Sequence, residues 1–417
     1  MKIGYACVPL TIQYRTNRRF SLKNFTKEKF ITVTGENIKD LLEILKSNKK
    51  KDIYLFRISS DLIPFGSHNI NNIMWWDVFK DEFIEIGEYI KDNLMRVSMH
   101  PGQYTVLNSM NEDTVKRAIA DLEYHTRILD AMELDYSHKI VIHVGGVYGD
   151  KAVATNNFKQ NFKRLSDSAK KRLILENDDK SYNIEDVLNI CNDLSIPAVF
   201  DIFHHECYPS LGNIEDILKQ VKKTWKEEDG DIKLHYSNAD NEKRLGAHSK
   251  FIDSKQFICF YEKVKKYNPD IMLEVKDKDI SAIKCGNIIK KLENRSSFKE
   301  KNSLTKEWAR YKYLVMEKDY SLYKKASNLV KEEVSIEEFY EFIDKVCMLP
   351  FNKGNFINTA EHVYGYFKND ISLREKENLF KLIKNAEDYT KVKEKLKKLS
   401  VKYNESYLLD SYYFRDI

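Results

Sequence analysis

Arg172–His205, RLILENDDKSYNIEDVLNICNDLSIPAVFDIFHH, is the stretch that decides the fold. It opens on a short apolar run, Arg172–Asn177, crosses a segment with helical spacing, Ile184–Leu194, and returns to a second apolar run, Ala198–His204. Neither run alternates apolar with polar residues, so each reads as a strand buried on both faces, as in a parallel sheet covered by helices. Each also ends on side chains that are costly to bury: Glu176 after LIL, then Asp201 and His204 in AVFDIFH.

The same unit recurs on both sides. Further strands are expected at Lys2–Val8, Ile53–Ser59, Met95–His100, Lys139–Gly145, Ile232–Tyr236 and Ile271–Val275. Helical patterns fill the gaps, among them Val78–Asn93, Thr114–Leu134, Phe158–Lys170, Ile214–Lys223 and Lys255–Tyr267. Eight strands alternating with helices imply a closed TIM-type (β/α)₈ barrel, an α/β fold, over residues 1–295. Beyond it the strands stop. Ser297–Thr305 reads as a linker, and 305–417 as a small all-α domain with charged helices such as Glu307–Lys325, Ile336–Cys347, Leu373–Lys384 and Tyr389–Lys402. Its Lys-rich runs could touch nucleic acid, but with Glu and Asp interspersed they read first as a solvated helix face.

The totals agree with this division. With 417 residues, 42% of them hydrophobic, the chain can bury a barrel core and a second smaller one. A net charge of +5 does not by itself single out a nucleic-acid partner, so any such partner needs a local basic patch. The six cysteines are scattered without a C-x-x-C pair, which argues against a zinc ribbon or disulfide scaffold and for a reducing compartment. No apolar run reaches the ~20 residues of a membrane span, and MKIGYACVPLTI reads as a first strand rather than a signal peptide. A cytoplasmic, monomeric protein is expected.

The residues with metal-ligand chemistry collect at strand ends: His100 after VSM, His143 after IVI, Glu176, Asp201 with His204, His235 after IKL, and Glu274 after IML. In a (β/α)₈ barrel these ends share one mouth, where active sites are built. Carboxylates and imidazoles crowded there would cost several kcal/mol in desolvation and repulsion, and divalent cations would remove that cost. A mixed imidazole–carboxylate set without thiolate suits Zn²⁺, Mn²⁺ or Fe²⁺. His68 and His248 could join it or be ordinary loop histidines. His125 and His138 read as structural. His204 is preferred to His205, which in an extended strand would face the other way. The loop HPGQY (His100–Tyr104) presents Gln103 and Tyr104 at a Pro-Gly turn on the same face, a pair suited to insertion into a base stack. Arg15, Arg18 and Arg19, after the first strand, could hold phosphates.

Together these blocks resemble the ultraviolet-damage endonucleases: KIGYAC (Lys2–Cys7), TNR (Thr16–Arg18), HPGQY, HVGGVYGDK (His143–Lys151), LENDD (Leu175–Asp179), FDIFHH (Phe200–His205), KLHYS (Lys233–Ser237) and LEVKDKD (Leu273–Asp279). The resemblance covers about residues 1–290. It implies a TIM barrel acting on double-stranded DNA, cut immediately 5′ to cyclobutane pyrimidine dimers, 6-4 photoproducts and some abasic sites, with 3′-OH and 5′-phosphate ends. It implies two or three divalent cations, manganese first, with zinc, magnesium or cobalt as alternatives. Their ligands would be His100, His143, Glu176, Asp201, His204, His235, His248 and Glu274, with Glu176 bridging. Tyr5 and His68 would lie near the scissile phosphate, Gln103 and Tyr104 would probe the lesion, and Lys233 would ligate only if carboxylated. Some members carry Asn two residues after the first-strand Cys; here Pro9 stands there, with no side-chain donor or acceptor. WARYKYLVM (Trp308–Met316), GNFINTAEHVYGYFK (Gly354–Lys368) and LREKENLF (Leu373–Phe380) resemble a helical YbgA-type domain of unknown function. A metal-dependent sugar isomerase or epimerase on the same barrel, and a non-catalytic DNA-binding adaptor, are the competing functional readings.

Overall fold

The structure is a computed structural model that describes residues 1–240, 242–386 and 389–415. Eight parallel strands close a barrel in sequence order: β1 Ile3–Ala6, β2 Leu55–Ile58, β3 Arg96–Met99, β4 Lys139–His143, β5 Leu173–Glu176, β6 Ala198–Asp201, β7 Lys233–Tyr236 and β8 Asp270–Leu273, with β8 pairing back onto β1. The fold is the TIM barrel that the apolar runs imply, and every expected strand is present, shorter by one to three residues at one or both ends, with β8 also starting one residue earlier, at Asp270. Nearly every strand residue is buried, which is why the runs do not alternate.

Local sequence starts the covering helices where the strands need them. Thr26 caps Lys27–Lys50, Asn111 caps Glu112–Ala131, and Asn183 forms a reciprocal capping box with Asp186 at the start of Ile184–Leu194. Register then aligns the ligand candidates: His143 pairs with Glu176 across β4 and β5, and Asp201 with His235 across β6 and β7. The opposite, N-terminal ends of the strands are locked by buried ion pairs. Arg96 reaches Asp270 at 3.1 Å and donates to the carbonyls of Asp229 and Asp231, while Lys139 pairs with Asp229.

Two expectations about local structure are corrected. β6 stops at Asp201, whose carboxylate caps a short helix, Ile202–Cys207, by accepting from His204 N at 2.7 Å. His204 and His205 are therefore separated by helical rotation, not by the alternation of an extended strand. The segment read as a linker turns helical at Glu300, within the helix Glu300–Lys318.

The chain divides into a barrel unit, Met1–Ile252 with Cys259–Ile283, and a second unit made of Asp253–Ile258 and the residues from Lys284 on. The second unit is helical: after Glu300–Lys318 come Tyr320–Lys331, Ile336–Cys347, Lys353–Tyr364, Leu373–Lys384 and Tyr389–Lys402. Tyr313, Phe356, Val363, Leu379 and Leu396 are among the residues of its core. No helix among the described residues is long and apolar enough to cross a membrane.

Candidate metal centre

Glu176, the last residue of β5, is 1% exposed and stands at the middle of the barrel mouth. Its Oε1 meets His235 Nδ1 at 2.7 Å and lies 3.7 Å from His204 Nδ1; its Oε2 meets His100 Nε2 at 3.2 Å and lies 3.8 Å from His143 Nε2. Among the described residues, three sets of side chains could each hold a cation: His100, His143 and Glu176; Glu176, Asp201 and His204; Glu176, His235 and Glu274. Glu176 belongs to all three. His248 stands at the edge, its Nε2 3.9 Å from Glu274 Oε2 and its ring 5.8 Å from that of His204.

The donor atoms fit cations rather than one another. Asp201 Oδ2, His143 Nδ1 and His248 Nδ1 are buried without a hydrogen-bond partner among the described residues, an arrangement that costs free energy unless something binds there. Backbone carbonyls hold two of the imidazoles in place. His100 Nδ1 donates to Pro101 O and His204 Nδ1 to Asn177 O, both at 3.0 Å. Asn177 also ties β5 to β6 through a reciprocal pair of 2.9 Å bonds with the Asp201 backbone.

Electrostatics point the same way. Burial pushes the Asp201 carboxyl up to about 7, with Glu176 and Glu274 adding to the rise. Burial works against charge on His204 as well, yet Asp201, Glu176 and Glu274 hold its proton up to about 9. Burial takes His235 down to about 4 and also lowers His143. Glu176, although buried, is held well below the usual carboxylate range by His235 and His143. The pocket thus carries more buried negative charge than its neutral rings can balance, and the His204 proton partly fills that deficit.

Arg57, in the middle of β2, was not among the expected site residues, yet it points into the mouth. Its Nη2 lies 2.5 Å from Glu274 Oε1 and 3.1 Å from His235 Nε2. The signal in the sequence is a lone charge inside an apolar strand, LFRI, which burial tolerates only with a partner. Lys233, the first residue of β7, is fully buried, and its Nζ has no partner among the described residues. Burial, together with the charges of Arg96 and Arg57, drives its pKa well below the usual lysine range.

Tyr5 and Arg18 are placed differently from expectation, while the other candidates lie on loops or in the core. Tyr5, expected beside a scissile phosphate, is fully buried, and its hydroxyl donates at 2.8 Å to Asn48 of the helix Lys27–Lys50, so the side chain is directed to the helix layer and not the mouth. Arg18, expected on phosphate, is taken up by Asp40 at 2.6 Å and Glu36 at 3.3 Å. Arg15 and Arg19 are exposed. His68 is exposed on the loop after β2, its Nδ1 accepting from Ile70 N. Gln103 and Tyr104 are exposed at the loop tip after β3, Tyr104 by 82%. His125 and His138 are buried away from this group: His125 bonds the Asp121 carbonyl, and His138 accepts from Val97 N.

Fold and site together define a TIM-barrel protein with a buried histidine–carboxylate centre that could hold a metal ion. The chain belongs to the UV-endonuclease UvdE family, whose pattern it matches over residues 1–312; residues 312–416 match a family of unknown function, DUF1722. It is 47% identical over 401 residues to the UV DNA damage endonuclease of Clostridium perfringens (strain 13), with 96% of each chain covered. It is 34% identical over 319 residues to the UV DNA damage endonuclease of Bacillus thuringiensis subsp. konkukian (strain 97-27), with 74% of this chain and 99% of that one covered. The crystal structure of SacUVDE superposes with a TM-score of 0.67 at 37% identity, covering 70% of this chain and 99% of that one.

Proposed function

We propose that this protein is a metal-dependent endonuclease that hydrolyses the DNA backbone immediately 5′ to ultraviolet photoproducts and some abasic sites. The observation that carries the reading is Glu176 shared by three sets of metal-binding side chains at the mouth of a UvdE-family barrel. Two or three divalent cations, manganese first, would be held by His100, His143, Glu176, Asp201, His204, His235, His248 and Glu274. With cations bound, the centre would supply Lewis acidity at the scissile phosphate and a water of lowered pKa. The residues of the chain do the rest. Glu176 would bridge; the carbonyls behind His100 and His204 hold their rings in one tautomer; Arg57 would offset the charge of Glu274 and the incoming phosphate. Arg15, Arg19 and His68, exposed on loops after β1 and β2, would steady the flanking backbone.

Lesion choice would come from deformability, since a damaged dinucleotide stacks poorly and is cheaper to displace. Tyr104, with most of its ring in solvent, would stack where the lesion leaves, and Gln103 would fill the pairing position. Base–aromatic stacking is worth roughly 1–3 kcal/mol, so Tyr104→Ala should lower the preference for irradiated over undamaged duplex by about tenfold. A gel shift on the two duplexes measures the ratio, and an unchanged ratio would remove Tyr104 from the probe role. Lys233 Nζ, buried without a partner among the described residues, would become an anionic ligand by adding carbon dioxide with loss of a proton, where an ammonium would repel the cations. Native mass spectrometry should show a mass increase of one carbon dioxide, absent in Lys233→Met; an unmodified lysine in the metal-loaded protein contradicts this role.

The overall reading is tested by incubating metal-reconstituted protein with irradiated and undamaged plasmid. Nicking that depends on both irradiation and metal is expected. Equal nicking of the two plasmids, or none in fully loaded protein, would overturn it.

A further inference from the structure

The helical unit carries a face that the barrel chemistry does not use. Tyr366, in the turn Gly365–Phe367, and Tyr407, in the short helix Ser406–Asp410, stack with centroids 5.9 Å apart and planes within 10°. Tyr320 and Tyr323, on the helix Tyr320–Lys331, stack at 5.8 Å and 8°, and Trp308 packs 5.4 Å from Tyr323. Tyr313 links the groups by donating its hydroxyl to Tyr366 at 2.6 Å. The two stacks are neighbours: after burial, the hydroxyls of Tyr320, Tyr407 and Tyr366 are what hold the Tyr323 phenol up. Tyr320, Tyr366 and Tyr407 are 37%, 36% and 40% exposed. These rings are in parallel stacks and open to water, unlike the buried Tyr340 and Tyr412 of the same unit.

Lysines are interleaved with them. Lys312 Nζ lies 4.5 Å from the Tyr407 ring and 4.6 Å from that of Tyr313, and Lys324 Nζ lies 4.8 Å from the Tyr320 ring. Neither lysine forms an ion pair with a carboxylate among the described residues. The positive charge of the protein also resides here: residues 284–417 hold 27 Lys and Arg against 21 Asp and Glu, while residues 1–283 hold 42 against 43.

We propose that this face is a stacking platform for single-stranded nucleic acid, with bases on the rings of Tyr320, Tyr366 and Tyr407 and phosphates on Lys312 and Lys324. Such a strand offers what both halves of the face can take up, a further planar partner to extend each stack and one anion per base for the lysines. An acidic peptide would satisfy the lysines and leave the rings open; a proline-rich peptide would do the reverse. A duplex hides its base faces. The ammonium groups over the rings sit on flexible stems and can swing to a phosphate as a base arrives. This role is independent of the reading of the barrel.

The test uses the full-length protein in EDTA, so that no strand is cut, and fluorescein-labelled oligo(dT) or oligo(rU), followed by anisotropy across a salt series. Binding by the wild type is expected. Tyr366→Leu and Tyr407→Leu should each weaken it about tenfold. Tyr407→Trp should restore it, with indole fluorescence quenched by the bound strand. Lys312→Gln should lower the salt slope by about one. Absence of wild-type binding, or folded leucine variants that bind as the wild type does, overturns the proposal, as does binding of an acidic or proline-rich peptide in place of the oligonucleotide. Nicking of irradiated plasmid by the same variants, assayed separately, is expected to be unchanged, so failure of this platform and failure of the barrel reading give different results.

Discussion

Glu176→Gln is expected to abolish damage-dependent nicking while leaving binding to damaged duplex in place. The side chains match in shape, so the barrel should fold, but the variant loses the carboxylate common to all three metal-binding sets. It also puts an amide N–H where His235 Nδ1 or His100 Nε2 now approaches an oxygen, at 2.7 and 3.2 Å. Each set would be left with one fewer anionic donor, and one bridging position would disappear. A loss of at least ~10³-fold in the single-turnover rate, or ~4 kcal/mol of transition-state stabilisation, is the expected scale. Metal content measured by mass spectrometry should fall in the same variant. Damaged-duplex binding should survive because Gln103 and Tyr104 sit on the loop after β3, outside the ligand sets. Full nicking activity in pure, folded variant would remove Glu176 from the centre of the mechanism.

The second large effect is on stability, and its sign follows from two groups that are raised in the folded state. Asp201 rises from 3.8 to about 7, and His204 from 6.5 to about 9. A group raised on folding contributes stability that is present at low pH and lost as pH climbs through its folded value. Asp201 therefore costs stability between about pH 4 and 7, and His204 between about 6.5 and 9. His235, lowered to about 4, acts in the other direction, but only below its ordinary 6.5. Above pH 6.5 the His204 loss is left, worth on the order of 3 kcal/mol for a shift of this size. A cation in the centre takes the place of that ring proton and should cancel the loss. The Tm gap between metal-loaded and chelated protein is expected to widen by about 5 °C or more from pH 6.5 to 9. Parallel curves across this range would show that cations do not occupy the His204 side of the centre.

Much of this was legible in the chain because it rests on local patterns. Unbroken apolar runs such as LIL before Glu176 and AVF before Asp201 can only be strands covered on both faces, and eight of them separated by helix-length segments close a barrel. Costly polar residues at the same end of successive strands can only converge, because parallel strands share one mouth. The family followed from blocks such as HPGQY and ENDD. Which way a side chain points was another matter, since it depends on register and on contacts far away in sequence. Tyr5 sits in one of the most recognisable blocks, but the course of β1 turns its hydroxyl to Asn48, and Arg18 is claimed by Asp40 on a helix packed beside its loop. Arg57 and Asn177 enter the site only because barrel closure puts β2 and β8 on either side of β1 and β5 lies against β6. The aromatic face of the second unit needs four segments, from Trp308 to Tyr407, brought together before any two rings can stack. Periodicity and the cost of burial act along the chain and determined the barrel and its ring of ligands; direction and partnership are settled across it, and only the tertiary structure decided those.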